Sequence, residues 1–326
     1  MAKPILVSGI QPTGKLHLGN YLGALKNFVE LQDSGKYQCY FFIADLHSLT
    51  ENFDPKEKPK QILDLAADYF AAGIGKDSVL FQQSEVPAHA ELGWIFETVA
   101  PLGEMERMTQ FKNKSENQKQ NINIGLLTYP ALMASDIVLY DAAVVPVGDD
   151  QLQHLELSRT LVRKFNNKFG RTLVEPKPLL TKVPRLMSLD DPTKKMSKSQ
   201  PSGCLFLDDS PAEIRGKLMR ATTDSGKEVK YDEKSKPGVS NLLLIYSELS
   251  EKSVNAIEKI YSGKGYAEFK KDLVEIVIRA LRPFQEKKRG LKPAEIKKTL
   301  ALGNKKANAV ASKKLLEVKK KIGLLI

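Results

Sequence analysis

Short apolar runs without polar alternation recur along the first half of the chain. Ile5–Ser8, Cys39–Ala44, Ser78–Gln82 and Ala143–Val147 suit strands buried on both faces. Longer segments of helical period separate them, over 19–32, 56–72, 88–99, 125–140 and 149–167. Strand–helix alternation of this kind predicts an α/β fold, with a mostly parallel sheet and helices on both faces. From Ser210 the pattern changes. Apolar positions at helical spacing run over 211–219, 239–249, 253–260, 266–287, 293–300 and 305–322, and no strand pattern competes. The second part is therefore expected to be all-helical, and no internal repeat is visible.

A length of 326 residues allows about two domains and a sizeable core. Hydrophobic residues at 42% and charged residues at 27% are an ordinary soluble globular mix. No apolar run approaches a membrane span, and the first residues carry too short an apolar stretch for a secretory signal. Cys39 and Cys204 match no pairing pattern, so a reducing cytoplasm is the expected compartment. The net charge of +11 is unevenly placed. Between Lys287 and Ile326 stand thirteen basic residues against Glu295 and Glu317, so this end carries the whole excess. It suits either a polyanionic partner or a solvated, solubilising helix face.

The loop after the first expected strand, Gly9 to Lys15, fits the phosphate-binding pattern G-x-x-x-x-G-K. Two residues argue against a P-loop. Leu16 stands where a hydroxyl should bind Mg²⁺, and Pro12 lacks the backbone N–H that a phosphate cradle needs. His17-Leu18-Gly19-Asn20, opening the first helix, offers a different use. Glycine lets a flat adenine approach the backbone, and imidazole and amide at a helix start can meet phosphates. This tetrad resembles the HIGH box of class I aminoacyl-tRNA synthetases. Lys195-Met196-Ser197-Lys198-Ser199 supplies the KMSKS box of the same class, 175 residues downstream, where the α/β pattern gives way to helices. Lysines three apart can neutralise charge on departing pyrophosphate.

Further segments resemble the bacterial tryptophanyl-tRNA synthetases over nearly the whole chain: 8–21, 83–89, 106–112, 127–130, 145–151, 191–199, 236–242 and 263–266. Val7 departs from the pattern, standing where some members carry Phe, and the lysine-rich tail exceeds it. The resemblance implies a Rossmann-like catalytic domain over 1–205, a helical anticodon-binding domain over 206–286 and a basic helical tail over 287–326. It implies a homodimer that joins L-tryptophan to tRNA(Trp) through tryptophanyl-adenylate, using ATP with its Mg²⁺, with no protein-held metal, no DNA partner and no membrane.

Indole N–H donates and cannot accept, so its pocket needs a buried acceptor. Asp136 fits, sharing a helix face with Tyr129 and Met133, and the resemblance gives it the same role. Met133, Val145, Val147 and Val7 are expected to wall the ring. Gln151 and Tyr129 resemble the residues that hold the substrate's ammonium and carboxylate. His47 follows the second strand, where open α/β sheets bind ligands; it is assigned to the pocket, with a structural role as the alternative. ATP is expected to meet Gln11, Pro12, Thr13, His17, Gly19, Asn20, Gly148, Asp149, Asp150, Leu186 and the box Lys195, Met196, Ser197, Lys198, Ser199. Lys195, Lys198 and Lys114 are the expected catalytic cations. His89 and His154 are expected to be structural. A tyrosine-specific pocket would show two polar groups at the far end of the ring, and only Asp136 is identified. Intact His17, Gly19, Lys195 and Lys198 argue against an idle RNA-binding relative.

Overall fold

The computed structural model describes residues 2–75, 77–109, 111, 122–148, 151–181 and 184–325. The chain divides into two compact units. The first comprises 1–13, 28–181 and 292–326; the second comprises 14–27 and 182–291. These cuts differ from the expected boundaries at 205 and 286: the helical tail belongs to the first unit, and the segment opening the first helix belongs to the second.

The first unit is built on a five-stranded parallel sheet. Its strands are β1 (Ile5–Ile10), β2 (Gln38–Ile43), β3 (Val79–Gln82), β4 (Val144–Val147) and β5 (Lys177–Leu180), in the order β3-β2-β1-β4-β5. Register runs from Ile5 opposite Gln38 to Ile10 opposite Ile43, and from Val144 opposite Lys177 to Val147 opposite Leu180. The order reverses at β1, so the ends of β1 and β4 open a crevice where such sheets bind ligands. The runs of β1 to β4 are apolar because helices cover both faces. β5 is an exposed edge strand containing Pro178, whose missing N–H an edge tolerates.

The helix Pro293–Lys321 is continuous, where a break was expected near Gly303. Its inner face, with Gly303, Ala307, Ala311 and Val318, is buried in the core of this unit. Asn304 Oδ1 accepts the Gln82 backbone N–H at 2.9 Å. An otherwise open edge of β3 is thus covered by small residues, and packing overrides the weak helix propensity of Gly303.

The second unit is helical: Pro211–Arg220, Pro237–Ser250, Val254–Ile260 and Tyr266–Gly290. A capping box, Ser210 with Glu213, starts the first of these. Residues 18–33 wind as a short α-turn, a π-helix over Tyr21–Leu25 and an α-helix over Lys26–Asp33, where one uninterrupted helix was expected. Among the described residues no helix is long and apolar enough to cross a membrane.

Candidate active site

In the first unit, a cavity of about 220 Å³ opens beside β1 and β4. Val7, His47, Tyr129, Met133, Asp136, Val145, Val147 and Gln151 line it together, as does Gln11. Ser8, Gly9, Phe42, Ala44, Ile137 and Pro146 complete the lining. β1 supplies Val7 to Gly9, β4 supplies Val145 to Val147, and the helix Ile124–Val138 supplies 129, 133, 136 and 137. Asn123 caps that helix by accepting the Leu126 N–H at 3.1 Å, which sets its start and hence the face it presents. A β-carbon on Gly9 would lie 2.7 Å from the Phe42 ring, so glycine is what allows that ring to reach the wall.

Asp136 is 1% exposed, yet its carboxylate is fully partnered on one side. Oδ2 lies 2.7 Å from His47 Nε2, and Oδ1 lies 2.6 Å from His89 Nδ1. Gln83 Nε2 donates to Oδ1 at 2.7 Å. Burial alone would raise the Asp136 pKa; the imidazoles of His47 and His89 outweigh it and hold the carboxyl below the ordinary aspartate range. Behind His89, Nε2 stands 2.8 Å from the Tyr140 hydroxyl. Tyr129 OH lies 2.6 Å from His154 Nε2, and burial raises the Tyr129 pKa, which keeps the phenol neutral.

In the second unit, residues 16–18 run antiparallel to 205–207: Leu18 N–H donates to Leu205 O at 2.8 Å and Leu207 N–H to Leu16 O at 3.0 Å. This presents the start of the helix. His17 and Asn20 form a reciprocal cap: Nδ1 of His17 accepts the Asn20 N–H at 3.3 Å, and Asn20 Oδ1 accepts the His17 N–H at 3.2 Å. A β-carbon on Gly19 would lie 3.0 Å from the imidazole, tighter than an ordinary contact. The His17 pKa falls to about 4, first through burial and then through the positive charges of Lys198 and Lys195. The KMSKS segment is therefore electrostatically beside the HIGH-like tetrad. Met196 is buried, and its N–H donates to Leu186 O at 2.9 Å, fixing the loop while Lys195 stays exposed. Lys198 Nζ donates to Gly14 O at 3.2 Å. Lys194, outside the box, pairs with Asp191 at 3.0 Å. Serines 197 and 199 share a hydrogen bond of 2.9 Å.

Pro12, Thr13 and Gly148 lie in the first unit, where Pro12 O accepts from Lys58 Nζ at 3.5 Å, Thr13 N–H donates to Gln11 O and Gly148 O accepts the Gln151 N–H. Lys114, Asp149 and Asp150 lie outside the described residues. Sequence reasoning missed Gln83 and His89 as partners of Asp136, and Tyr140 as the partner behind His89. The motif 83–89 was a usable signal, but nothing in its spacing points to a residue 47 or 53 positions away.

Comparison with known proteins identifies similar chains. The sequence model described as "tRNA synthetases class I (W and Y)" matches residues 1–282. Tryptophan–tRNA ligase of Bacillus anthracis is 49% identical over 325 residues, covering 98% of each chain. The tryptophanyl-tRNA synthetase structure from Mycoplasma pneumoniae superimposes with a TM-score of 0.89 at 38% identity, covering 99% of this chain and 98% of that one. The Campylobacter jejuni structure, described as complexed with ADP and tryptophan, gives 0.83 at 33%, covering 98% and 99%.

The chain belongs to the class I tRNA synthetases of the W and Y type, with the bacterial tryptophan enzymes as its relatives. Its activity is the ATP-dependent joining of tryptophan to tRNA. The parallel sheet expected from the strand pattern, and the Rossmann-like fold that the resemblance implied, are the observed ones.

Proposed function

We propose that the cavity of the first unit is the tryptophan pocket, with Asp136 accepting the indole N–H. The observation that carries this reading is an ionised carboxylate, 1% exposed, facing an otherwise largely apolar cavity. Three protein donors hold it ionised, and a buried carboxylate kept ionised at a cavity wall is suited to accept from a ligand donor. Met133, Val7, Val145 and Val147 wall the ring, His47 borders it, and Tyr129 and Gln151 hold the ammonium and carboxylate.

The substrate carboxylate oxygen attacks the α-phosphorus of ATP. The new O–P bond forms as the α–β bridging bond breaks, and its electrons leave with pyrophosphate. Lys195 and Lys198, with Lys114 as a third cation, neutralise the charge that grows on the leaving group. The residues assigned to ATP binding are Gln11, Pro12, Thr13, His17, Gly19, Asn20, Gly148, Asp149, Asp150, Leu186, Met196, Ser197 and Ser199. Mg²⁺ enters as the counter-ion of the ATP phosphates. In the second step a hydroxyl of the terminal tRNA ribose attacks the adenylate carbonyl and AMP departs. Residues 206–286 read the anticodon, and the outward face of the tail helix meets the tRNA backbone.

We further infer a cytoplasmic homodimer. Trp94, 67% exposed, and Leu49, 46% exposed, line an open groove in the first unit, and Ile124 beside it is 74% exposed. Exposed apolar patches of this kind mark interaction sites, and closed two-fold pairing is the commonest solution.

Amino-acid-dependent ATP–pyrophosphate exchange across all twenty amino acids tests the pocket. Tryptophan alone should support full exchange. Asp136→Ala should lower kcat/KM for tryptophan at least tenfold, since losing a buried charged partner costs about 1–3 kcal/mol or more, with little change in the ATP KM. An unchanged tryptophan kcat/KM would remove Asp136 from the assignment.

A further inference from the structure

We propose that His89, backed by Tyr140, is a positioning residue for amino-acid selection: it holds Asp136 so that its one remaining acceptor site points into the pocket. This rests on the reading of Asp136 as the indole acceptor.

The argument is a count of donors and acceptors. A carboxylate oxygen accepts about two hydrogen bonds. Oδ1 of Asp136 is filled by Gln83 Nε2 at 2.7 Å and His89 Nδ1 at 2.6 Å. Neither residue lines the cavity, and both are fully buried. Among the described residues Oδ2 takes only His47 Nε2, at 2.7 Å, and His47 does line the cavity. The remaining acceptor position is therefore on Oδ2, on the ligand's side.

Both groups behind the acid are locked as donors. Gln83 Oε1 accepts the Leu46 N–H at 3.1 Å, which turns the amide nitrogen toward Asp136. For His89, burial and the nearby negative charge of Asp136 keep the Tyr140 phenol protonated. Its hydroxyl stands 2.8 Å from Nε2 and donates there, which leaves the ring proton on Nδ1, aimed at Oδ1. The His89 backbone is tied to the same helix as Asp136, its carbonyl accepting from Ser135 Oγ at 2.8 Å. Phe81, with ring centroids 5.8 Å apart, and Phe42, at 6.2 Å, confine the imidazole. A core needing only stability would fill this space with apolar side chains, because a buried charge with three partners gains little over hydrophobic packing. An acceptor of fixed direction is what the cluster adds.

The test uses pyrophosphate exchange with L-tryptophan and with its benzothiophene analogue, in which sulfur replaces the ring N–H. Wild-type enzyme, Tyr140→Phe, His89→Leu, His89→Gln and Asp136→Ala are compared. Tyr140→Phe, nearly isosteric, keeps the packing. It and His89→Leu should lower the preference for tryptophan over the analogue by about tenfold, the worth of a hydrogen bond to a charged group. The loss should appear in the tryptophan KM, with the analogue's kcat/KM within about twofold of wild type. His89→Gln, which keeps a donor, should retain more of the preference than His89→Leu. Equal losses for both substrates would overturn the proposal and leave His89 a packing residue. If Asp136→Ala abolishes the preference while Tyr140→Phe and His89→Leu leave it intact, the positioning role is overturned and the reading of Asp136 stands. If Asp136→Ala, which removes the acceptor altogether, leaves the preference intact, the reading of Asp136 fails and takes the proposal with it.

Discussion

Gly303 lies so close to Leu80 that a β-carbon built on it would stand 1.7 Å from the Leu80 carbonyl oxygen. The neighbour is backbone of a sheet strand and cannot move aside cheaply. Gly303→Ala should therefore destabilise the first unit by about 1–3 kcal/mol or more, the range for overpacking a core. Thermal unfolding by circular dichroism reads this directly. An unchanged melting temperature would mean that the helix 293–321 does not sit against β3 at this register. Alanine there raises intrinsic helix propensity, so a loss of stability could come only from the clash with Leu80.

The same packing decides how the basic tail can be tested. Removing 303–326 would strip Ala307, Ala311, Leu315 and Val318 from the core, so truncation confounds tRNA binding with folding. Lys298, Lys305, Lys306, Lys313 and Lys320 instead fall on the outward stripe of the helix and are exposed. Changing Lys305, Lys306 and Lys313 together to Gln should weaken tRNA binding. It should also reduce the slope of log affinity against log salt by up to about 0.9 for each phosphate that is no longer neutralised. Pyrophosphate exchange without tRNA should be unchanged. A salt slope equal to that of the unaltered enzyme would make the stripe a solubilising face.

How much of this was readable in the residues differs from element to element. Strands β1 to β4 are apolar on both faces, so their runs stand out, and the expected bounds fall close to the observed ones. β5 was not foreseen, because Lys177-Pro178-Leu179-Leu180 is short, exposed and interrupted by proline. Its strand identity comes from pairing with β4 rather than from its own pattern. The helix break expected near Gly303 failed for the same kind of reason: the residue answers to a strand more than 200 positions away. In the pocket, Asp136, Met133 and Tyr129 share one helix face, which periodicity exposes. Gln83 and His89 meet Asp136 only through tertiary packing, with Tyr140 behind His89, and a polar side chain that supports another from behind leaves no local signature.

His17 carries a pH prediction. Its pKa is lowered to about 4 from an ordinary 6.5, first by burial and then by Lys198 and Lys195. The unfolded chain takes up the proton near 6.5, and the folded chain only near 4. The stability linked to neutral His17 is thus fully present above about pH 6.5 and is lost as pH falls toward about 4. Relative to His17→Gln, wild-type protein should lose stability across this window and level off below it. Imidazole NMR titration should show His17 still neutral at about pH 5.5, between those two values. A midpoint near the ordinary 6.5 for His17 would mean that the two lysines and the burial do not act on it.

Lys195 and Lys198 separate catalysis from binding. Met196 is buried between them, so the loop is anchored by its centre while the flanking ammonium groups are carried on flexible stems. Charge on the β- and γ-phosphates grows only as the α-phosphorus bond breaks. A lysine that reaches the phosphates at that stage lowers the barrier more than it tightens bound ATP, and so raises kcat. Lys195→Ala and Lys198→Ala should each cut the adenylation kcat by a factor of about 10²–10³, with the tryptophan KM little changed. Lys194→Ala is the control: that lysine is engaged with Asp191, and its loss should cost far less. Pre-steady-state adenylate formation with saturating tryptophan gives the comparison. Three equal, small losses would reduce the segment to a charged surface loop. A rise confined to the ATP KM would mean that the lysines hold ground state and transition state alike, and the leaving-group role would then have to be sought elsewhere in the phosphate-binding residues.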